Sequence, residues 1–187
     1  ISCPETGCPD TDRARWRKKL RALRDYGYNY VRCQSYVYTP EYFDAADEVG
    51  LLVQSEMGMV GAWGGHNKWH VYQWPKPTAD NYPILKRQWD ATVLRDANHP
   101  SANIYCMSNE YRGDLFHFPR VAWQCHHATK AIKPSALVIW TDGGYSKDLP
   151  GDFVNHDPDS KITGEDGTIR SLVDALDKPV IQHEFRW

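Results

Sequence analysis

The chain has 187 residues, and 22 Lys and Arg against 24 Asp and Glu give it a formal net charge of −2 at pH 7. Its 41% hydrophobic and 25% charged residues are typical of a folded globular domain, which excludes a disordered or collagen-like chain. The mean hydropathy is −0.65, and no apolar run approaches the roughly 20 residues of a membrane span, which excludes an integral membrane protein. The near-neutral charge gives no reason to expect nucleic acid as a partner.

Helices and strands alternate along the chain. Capping residues and apolar spacings of three and four predict helices over residues 12–26, 39–49, 81–96, 118–132 and 166–176. Short aromatic or β-branched runs predict strands over residues 28–34, 51–56, 102–107, 136–140, 152–154 and 179–183. The alternation indicates an α/β protein with parallel βα units, either an open doubly wound sheet or a (β/α)8 barrel.

Polar residues at the strand ends separate these two architectures. The chain has no GxGxxG or GxxxxGK[ST] loop that could hold a phosphate, which disfavours the nucleotide-binding sheet. Polar side chains gather where the predicted strands end, at Arg32, Glu56, Asn109, Glu110, Asp142, Asn155, His156, Asp157, His183 and Glu184. Because a parallel barrel carries its active site at the C-terminal ends of its strands, this distribution favours a barrel enzyme.

Two carboxylates on separate strand ends, Glu110 and Glu184, are the strongest chemical signal. Hydrolysis of a glycosidic bond needs such a pair, because one group protonates the leaving oxygen while the other attacks the anomeric carbon or activates water. The alternative is that both glutamates form ion pairs or lie solvated at the rim. The aromatic content of 13%, with eight Trp and eleven Tyr, also suits stacking on sugar rings.

Four sequence blocks resemble the catalytic barrel of glycoside hydrolase family 2, which includes β-galactosidases, β-glucuronidases and β-mannosidases. They are residues 27–32 (GYNYVR), 43–53 (FDAADEVGLLV), 95–101 (RDANHPS) and 108–110 (SNE). The resemblance implies a (β/α)8 TIM barrel that is incomplete, with about strands two to seven. Residues 1–187 would then form a partial catalytic domain. The rest of the chain, including the flanking β-sandwich domains of the family, would be missing.

The same resemblance implies a retaining glycosidase that cleaves a terminal glycosidic bond by double displacement. Glu110 would be the acid/base and Glu184 the nucleophile, and the partner would be a carbohydrate substrate rather than nucleic acid or a membrane. Two alternatives remain open: a carbohydrate-binding barrel without catalysis, and an endo-glycanase of a related barrel family. Family habit favours an extracellular or periplasmic location.

Supporting roles follow from charge and from the resemblance. Asn109 is expected to bond the sugar 2-hydroxyl. Arg32 is expected to orient the nucleophile, with a structural ion pair as the alternative. Glu56 would contact sugar hydroxyls or Arg32, or would be structural.

The chain also departs from the family pattern. Ser108 replaces the usual Gly before Asn-Glu, and Asn155-His156-Asp157 stands where several members have Asn-x-Tyr. His156 is therefore a candidate substrate contact in place of that Tyr. The metal site of β-galactosidases near the third strand is also missing, so we expect no essential metal and no cofactor.

Tryptophans and cysteines complete the predictions. Trp63, in the long stretch of residues 57–80, is predicted to line a sugar subsite, with packing of the loop as the alternative. Trp140 and Trp187 are further candidate substrate contacts. Buried free thiols are predicted for Cys33, Cys106 and Cys125, whereas Cys3 and Cys8 could pair in an oxidising compartment. The basic helix over residues 13–24 is expected to present a solvated face.

Overall fold

The structure is a computed structural model that describes residues 10–34, 36–57, 82–110, 118–156 and 159–182. Its helices are α1 (Arg13–Asp25), α2 (Pro40–Val49), α3 (Tyr82–Asp96), α4 (Phe118–Ile132) and the short α5 (Leu172–Ala175). Its strands are β1 (Tyr30–Arg32), β2 (Leu52–Glu56), β3 (Ala102–Cys106), β4 (Leu137–Ile139), β5 (Val154–Asn155), β6 (Lys161–Thr163), β7 (Ile169–Ser171) and β8 (Val180–Ile181). Among these described helices, none is both long and apolar enough to cross a membrane.

The parallel strands follow one another in the order of a βα barrel. Strands β1, β2, β3 and β4 form a four-stranded sheet in which every pairing is parallel, and β5 pairs in parallel with β8. Single parallel bridges join Asn109 to Asp142 and Asp142 to Asn155, so the order continues from β3 through the end of β4 to β5. The predicted α/β fold with part of a TIM barrel is confirmed.

Local chemistry explains the first two helices. The Asp12 carboxylate caps α1 by accepting the N–H groups of Ala14 at 2.8 Å and Arg15 at 3.3 Å. Helix α2 begins at Pro40, whose fixed φ suits a first helical position. It ends at Val49, and the following Gly50 has a φ of +76°, in the left-handed region that glycine adopts without strain.

A large apolar layer, which we call the helix-side core, joins the sheet to its helices. Trp16 of α1 and Trp89 of α3 are buried in it, together with Val53, Tyr105 and Val138 of the sheet. The opposite face of the strands carries a smaller apolar cluster of Ile104, Cys106, Ile139 and Phe153. Neighbouring residues of β3 thus point to opposite faces of the sheet, as side chains alternate along a strand.

The predicted helix over residues 166–176 is wrong in its first part. Strands β6 and β7 form an antiparallel hairpin there, and only Leu172–Ala175 is helical. The Asp166 carboxylate accepts the Thr168 N–H at 3.0 Å, and Gly167 has a φ of +78°. This turn chemistry outweighs the apolar spacing, because an aspartate bonded to the backbone two residues ahead and a left-handed glycine both favour a turn.

The cysteine and surface predictions have clear outcomes. Cys33, Cys106 and Cys125 are buried and free, as predicted, and burial raises the pKa of the Cys33 and Cys125 thiols to about 12. The basic residues of α1 are exposed, as expected of a solvated face. Cys3 and Cys8 lie outside the described residues, so their pairing stays a prediction.

Candidate active site

Alternate residues of β1 and β2 begin a polar cluster. Tyr30 and Arg32 lie two residues apart on β1, and Gln54 and Glu56 lie two residues apart on β2, so each pair shares one face of its strand. The Tyr30 hydroxyl donates a hydrogen bond to Gln54 Oε1. Burial, followed by the nearby Asp142 carboxylate, raises the pKa of Tyr30, which keeps this donor protonated.

Arg32 is the cation of this cluster. Its Nε lies 3.0 Å from Glu56 Oε2 and 2.9 Å from Asp142 Oδ2, and its Nη2 donates to Asn109 Oδ1. Burial by itself lowers the pKa of Arg32, but the two carboxylates more than offset this, so that the pKa is raised. We call Arg32, Glu56, Asp142, Gln54 and Asn109 the inner polar cluster.

Both carboxylates of the cluster are removed from solvent. The side chains of Glu56 and Asp142 are 0% exposed, whereas that of Arg32 is 16% exposed. Burying carboxylates is costly unless a cation and hydrogen-bond donors compensate them. Arg32 provides the cation, which favours the Arg32 contact among the alternatives given for Glu56.

Glu110 follows Asn109 just after β3 and is held by its backbone. Its N–H donates to the carbonyl of Asp142 at 2.6 Å, and the N–H of Asp142 donates to the carbonyl of Ser108 at 2.9 Å. Glu110 has a φ of +47°, the one positive φ outside glycine in the described ranges. This region is uncommon for a residue with a side chain and often marks a functional position.

Ser108 contributes a hydroxyl that glycine, the usual family residue, lacks. The side chain is fully buried, and its Oγ donates to the carbonyl of Trp140 at 2.7 Å. This bond ties the segment before Glu110 to the end of β4, so the departure from the family pattern adds a connection between the two strands.

Two members of the inner polar cluster, Gln54 and Asp142, were not predicted as site residues. Gln54 is fully buried, and its Nε2 donates to Asp142 Oδ2 and lies 3.4 Å from Glu56 Oε2. Asp142 was recognised only as a polar residue that follows a strand. The sequence signal that could have identified Gln54 was a polar side chain within an otherwise apolar strand. Gln54 lies two residues before Glu56 and therefore on the same face of β2.

The remaining candidates are His156, Trp140 and three residues outside the described residues. His156 follows β5, where its N–H donates to the carbonyl of Ile181 at 2.9 Å and its Nδ1 lies 3.0 Å from Ser160 Oγ. Trp140 is 5% exposed and packs in the helix-side core. Their contacts with substrate stay predictions. Glu184, Trp63 and Trp187 lie outside the described residues, and their predicted roles are likewise unchanged.

One set of described residues brings potential metal ligands together. Ligand atoms of Glu56, Cys106 and Asp142 lie within 4.8 Å of one another. However, Arg32 already bonds to both carboxylates and supplies positive charge at this position. Burial and the adjacent carboxylates also raise the pKa of Cys106 well above its ordinary value, which keeps the thiol protonated and a poor ligand. This donor set is therefore unsuited to a metal ion.

Parallel strands that follow one another in barrel order, with a polar cluster at their C-terminal ends, fit a βα barrel with a candidate site in the usual position for that fold. Comparison with known families leads to the same class. The model described as "Glycosyl hydrolases family 2, TIM barrel domain" matches residues 10–186. The chain therefore belongs to glycoside hydrolase family 2, and the matched residues are part of its barrel domain.

Individual relatives carry the names of several glycosidases. The chain is 28% identical over 128 residues to a beta-galactosidase of Halalkalibacterium halodurans, covering 64% of this chain and 12% of that protein. It is also 28% identical over 104 residues to an exo-beta-D-glucosaminidase of Streptomyces avermitilis, covering 51% and 10%. The chain thus spans about a tenth of the length of these curated relatives.

Solved structures show the same fold. The beta-D-glucuronidase structure from Dictyoglomus thermophilum superposes with a TM-score of 0.63 at 19% identity, covering 76% of this chain and 25% of that one. The beta-glucuronidase of Parabacteroides merdae gives a TM-score of 0.57 at 18% identity, covering 76% and 17%. At this level of identity, the similarity to these structures shows a shared fold alone.

Proposed function

We propose that this chain is part of the catalytic barrel of a retaining glycoside hydrolase that removes a terminal sugar, with Glu110 as acid/base and Glu184 as nucleophile. The observation that carries the proposal is the placement of Glu110. It directly follows a buried Asn109 that is bonded to Arg32, at the strand ends where a barrel of this family does its chemistry.

In the first step, the protonated Glu110 carboxyl gives its proton to the glycosidic oxygen as the bond to the anomeric carbon breaks. The Glu184 carboxylate attacks that carbon from the opposite face, which forms a covalent glycosyl-enzyme and releases the leaving group as an alcohol. Glu110 is then a carboxylate.

In the second step, Glu110 acts as a base. It takes a proton from a water molecule whose oxygen attacks the anomeric carbon, and the bond to Glu184 breaks with its electron pair returning to the carboxylate. Two inversions give net retention of configuration, and both glutamates return to their starting protonation states.

Asn109 and Arg32 support this chemistry through one hydrogen bond. Because Asn109 Oδ1 accepts from Arg32 Nη2, the amide NH2 of Asn109 is the group turned to donate to a sugar hydroxyl. Hydrogen bonds to the sugar 2-hydroxyl strengthen in the transition state.

The experiment uses the complete polypeptide that carries this chain and a panel of p-nitrophenyl β-glycosides: galactoside, glucuronide and glucosaminide. We expect turnover of at least one, with the first-formed sugar in the β configuration by NMR. Glu110→Gln and Glu184→Gln should each lower turnover by at least about 100-fold, because proton transfer and nucleophilic attack both depend on a carboxyl group.

The matched control is Glu165→Gln, which changes a glutamate whose side chain is 94% exposed and should leave turnover unchanged. Full activity in either active-site variant would contradict the assignment of that residue. Release of the α anomer would contradict retention. Internal cleavage of polymers without turnover of the aryl glycosides would favour the endo-glycanase, and sugar binding without any turnover would favour a non-catalytic barrel.

A further inference from the structure

We propose that Asp142 is the positioning residue for the general acid Glu110: its buried side chain anchors the peptide group that holds the Glu110 backbone. This inference rests on the proposed function, because it concerns how that acid is kept in place. It is carried by two independent sets of contacts, one made by the Asp142 side chain and one by its main chain.

The side-chain contacts fix Asp142 from the neighbouring strands. Its carboxylate is fully buried, with Oδ2 at 2.9 Å from Arg32 Nε of β1 and bonded to Gln54 Nε2 of β2. Both donors lie on strands whose own positions are set by parallel pairing in the four-stranded sheet. The end of β4 is therefore connected to β1 and β2 through the Asp142 carboxylate.

The main-chain contacts transmit this position to Glu110. The carbonyl of Asp142 accepts the Glu110 N–H at 2.6 Å, and the Asp142 N–H donates to the Ser108 carbonyl at 2.9 Å. Asp142 therefore bonds to the backbone on both sides of Asn109. The next residue, Gly143, donates to the Asn155 carbonyl at 2.7 Å, which adds β5 to the same connection.

The backbone conformation of Glu110 explains why these main-chain hydrogen bonds are needed. A φ of +47° is disfavoured for a residue with a side chain, so this conformation persists only where its surroundings fix it. The bond from the Glu110 N–H to the Asp142 carbonyl is a contact of this kind, made by the strained residue itself. Release of that bond would let Glu110 relax and would move its carboxyl group.

A displaced Glu110 carboxyl group should impair catalysis most for substrates whose leaving group needs a proton. General acid catalysis requires the acid within hydrogen-bond reach of the leaving oxygen, and a shift of about 1 Å is enough to cost on the order of 100-fold in rate. A poor leaving group depends on this proton, whereas a very acidic phenol leaves with little assistance. A positioning role therefore predicts a loss of activity that grows with the pKa of the leaving group.

The test measures kcat/KM of the complete polypeptide on aryl glycosides of the accepted sugar, from 2,4-dinitrophenyl to unsubstituted phenyl. Asp142→Asn keeps the shape of the side chain and removes its charge. We expect kcat/KM to fall on the order of 100-fold for the phenyl glycoside and about 10-fold or less for the dinitrophenyl glycoside.

The matched control is Asp96→Asn. Asp96 is also fully buried and bonded to an arginine, Arg95, but lies on α3 away from the inner polar cluster. It should show an equal change for every leaving group. Gln54→Leu is a second variant, which removes one donor to Asp142 and leaves Arg32 in place. Its loss of kcat/KM should also grow with the pKa of the leaving group, but less steeply than in Asp142→Asn.

The outcomes separate the two proposals. A uniform loss across leaving groups in Asp142→Asn, or in Gln54→Leu should Asp142→Asn fail to fold, overturns the positioning role and leaves the glycosidase proposal standing. Absence of turnover by the wild-type polypeptide on any glycoside overturns the proposed function and this inference with it. A loss that grows with leaving-group pKa in the variants but not in Asp96→Asn supports the positioning role.

Discussion

The two faces of the central strands differ in what they bury, because the inner face carries a polar cluster beside its smaller apolar cluster. On the helix side, Val53, Tyr105 and Val138 pack in an apolar layer with residues of the surrounding helices. On the inner side, the half-buried Arg32 and the fully buried Glu56 lie beside charged or amide groups. Removing apolar surface from water stabilises the fold, whereas burying charges costs desolvation that their pairing only partly returns. The outer face thus maintains the fold, and the inner face holds groups that suit chemistry.

Replacing Arg32 gives the largest expected effect, because it should damage both stability and activity. Arg32→Ala leaves Glu56 and Asp142 without their shared cation, and breaking a buried ion pair from one side costs about 3–5 kcal/mol. The free energy of unfolding from denaturant titration checks this value, and aryl glycoside turnover checks the loss of activity. The control is Arg87→Ala on the exposed face of α3. Equal stability of the two variants would show that the cluster is not held by its charge pairing.

Removing a large side chain from the helix-side core should affect stability alone. Trp16 is fully buried and packs edge-on against Tyr42, so Trp16→Ala should lower the free energy of unfolding by about 3–5 kcal/mol. Activity per folded molecule should not change. Trp123→Ala is the control, because that side chain is 42% exposed and should cost much less. A lowered kcat in folded Trp16→Ala would contradict the conclusion that the helix-side core maintains the fold without affecting catalysis.

A polar contact on the outer side should show a defined pH dependence. The Asp152 carboxylate accepts the Val138 N–H at 2.7 Å and lies 2.7 Å from Lys130 Nζ. Burial raises the pKa of Asp152, but the Lys130 and Val138 bonds outweigh this and lower it overall. With a folded-state pKa below the unfolded value of about 3.9, its stabilisation is present above that pH and is lost as the pH falls through the folded-state pKa.

Asp152→Asn should therefore lower the free energy of unfolding by about 1–3 kcal/mol at pH 7. The difference from wild type should shrink steadily below about pH 4. Denaturant titrations of both proteins between pH 3 and pH 7 measure this difference. A gap that stays constant down to pH 3 would mean that the charge of Asp152 is not what stabilises the contact.

The smallest expected effect is at the beginning of α1. Asp12→Ala removes the carboxylate that accepts the N–H groups of Ala14 and Arg15, which should cost about 1 kcal/mol. The control is Asp25→Ala at the end of the same helix, where loss of a negative charge should be neutral or slightly stabilising. Thermal unfolding of both variants shows whether Asp12→Ala destabilises the protein more than Asp25→Ala does. Equal destabilisation would argue against capping as the cause.

Local rules were enough to predict the first four helices and the principal strand ends. The cap at Asp12 and the Pro40 and Gly50 boundaries are encoded within a few residues, and so are the Asn109 and Glu110 positions after β3. Gln54 and Asp142 escaped prediction because their contact joins positions 88 residues apart, and no local pattern specifies such a pairing. The hairpin of β6 and β7 was missed because its turn chemistry competed with an apolar spacing that suited a helix.

The main-chain bonds around Asp142 have a further consequence, for hydrogen exchange. The amides of Glu110, Asp142 and Gly143 follow strands rather than lying within them, yet each donates to a carbonyl of a neighbouring segment at 2.6–2.9 Å. Exchange at such amides requires an opening event that separates the segments. Deuterium should enter all three at closely similar, slow rates. The proposed acid then belongs to a part of the barrel that opens slowly, so its backbone is expected to keep its position between opening events.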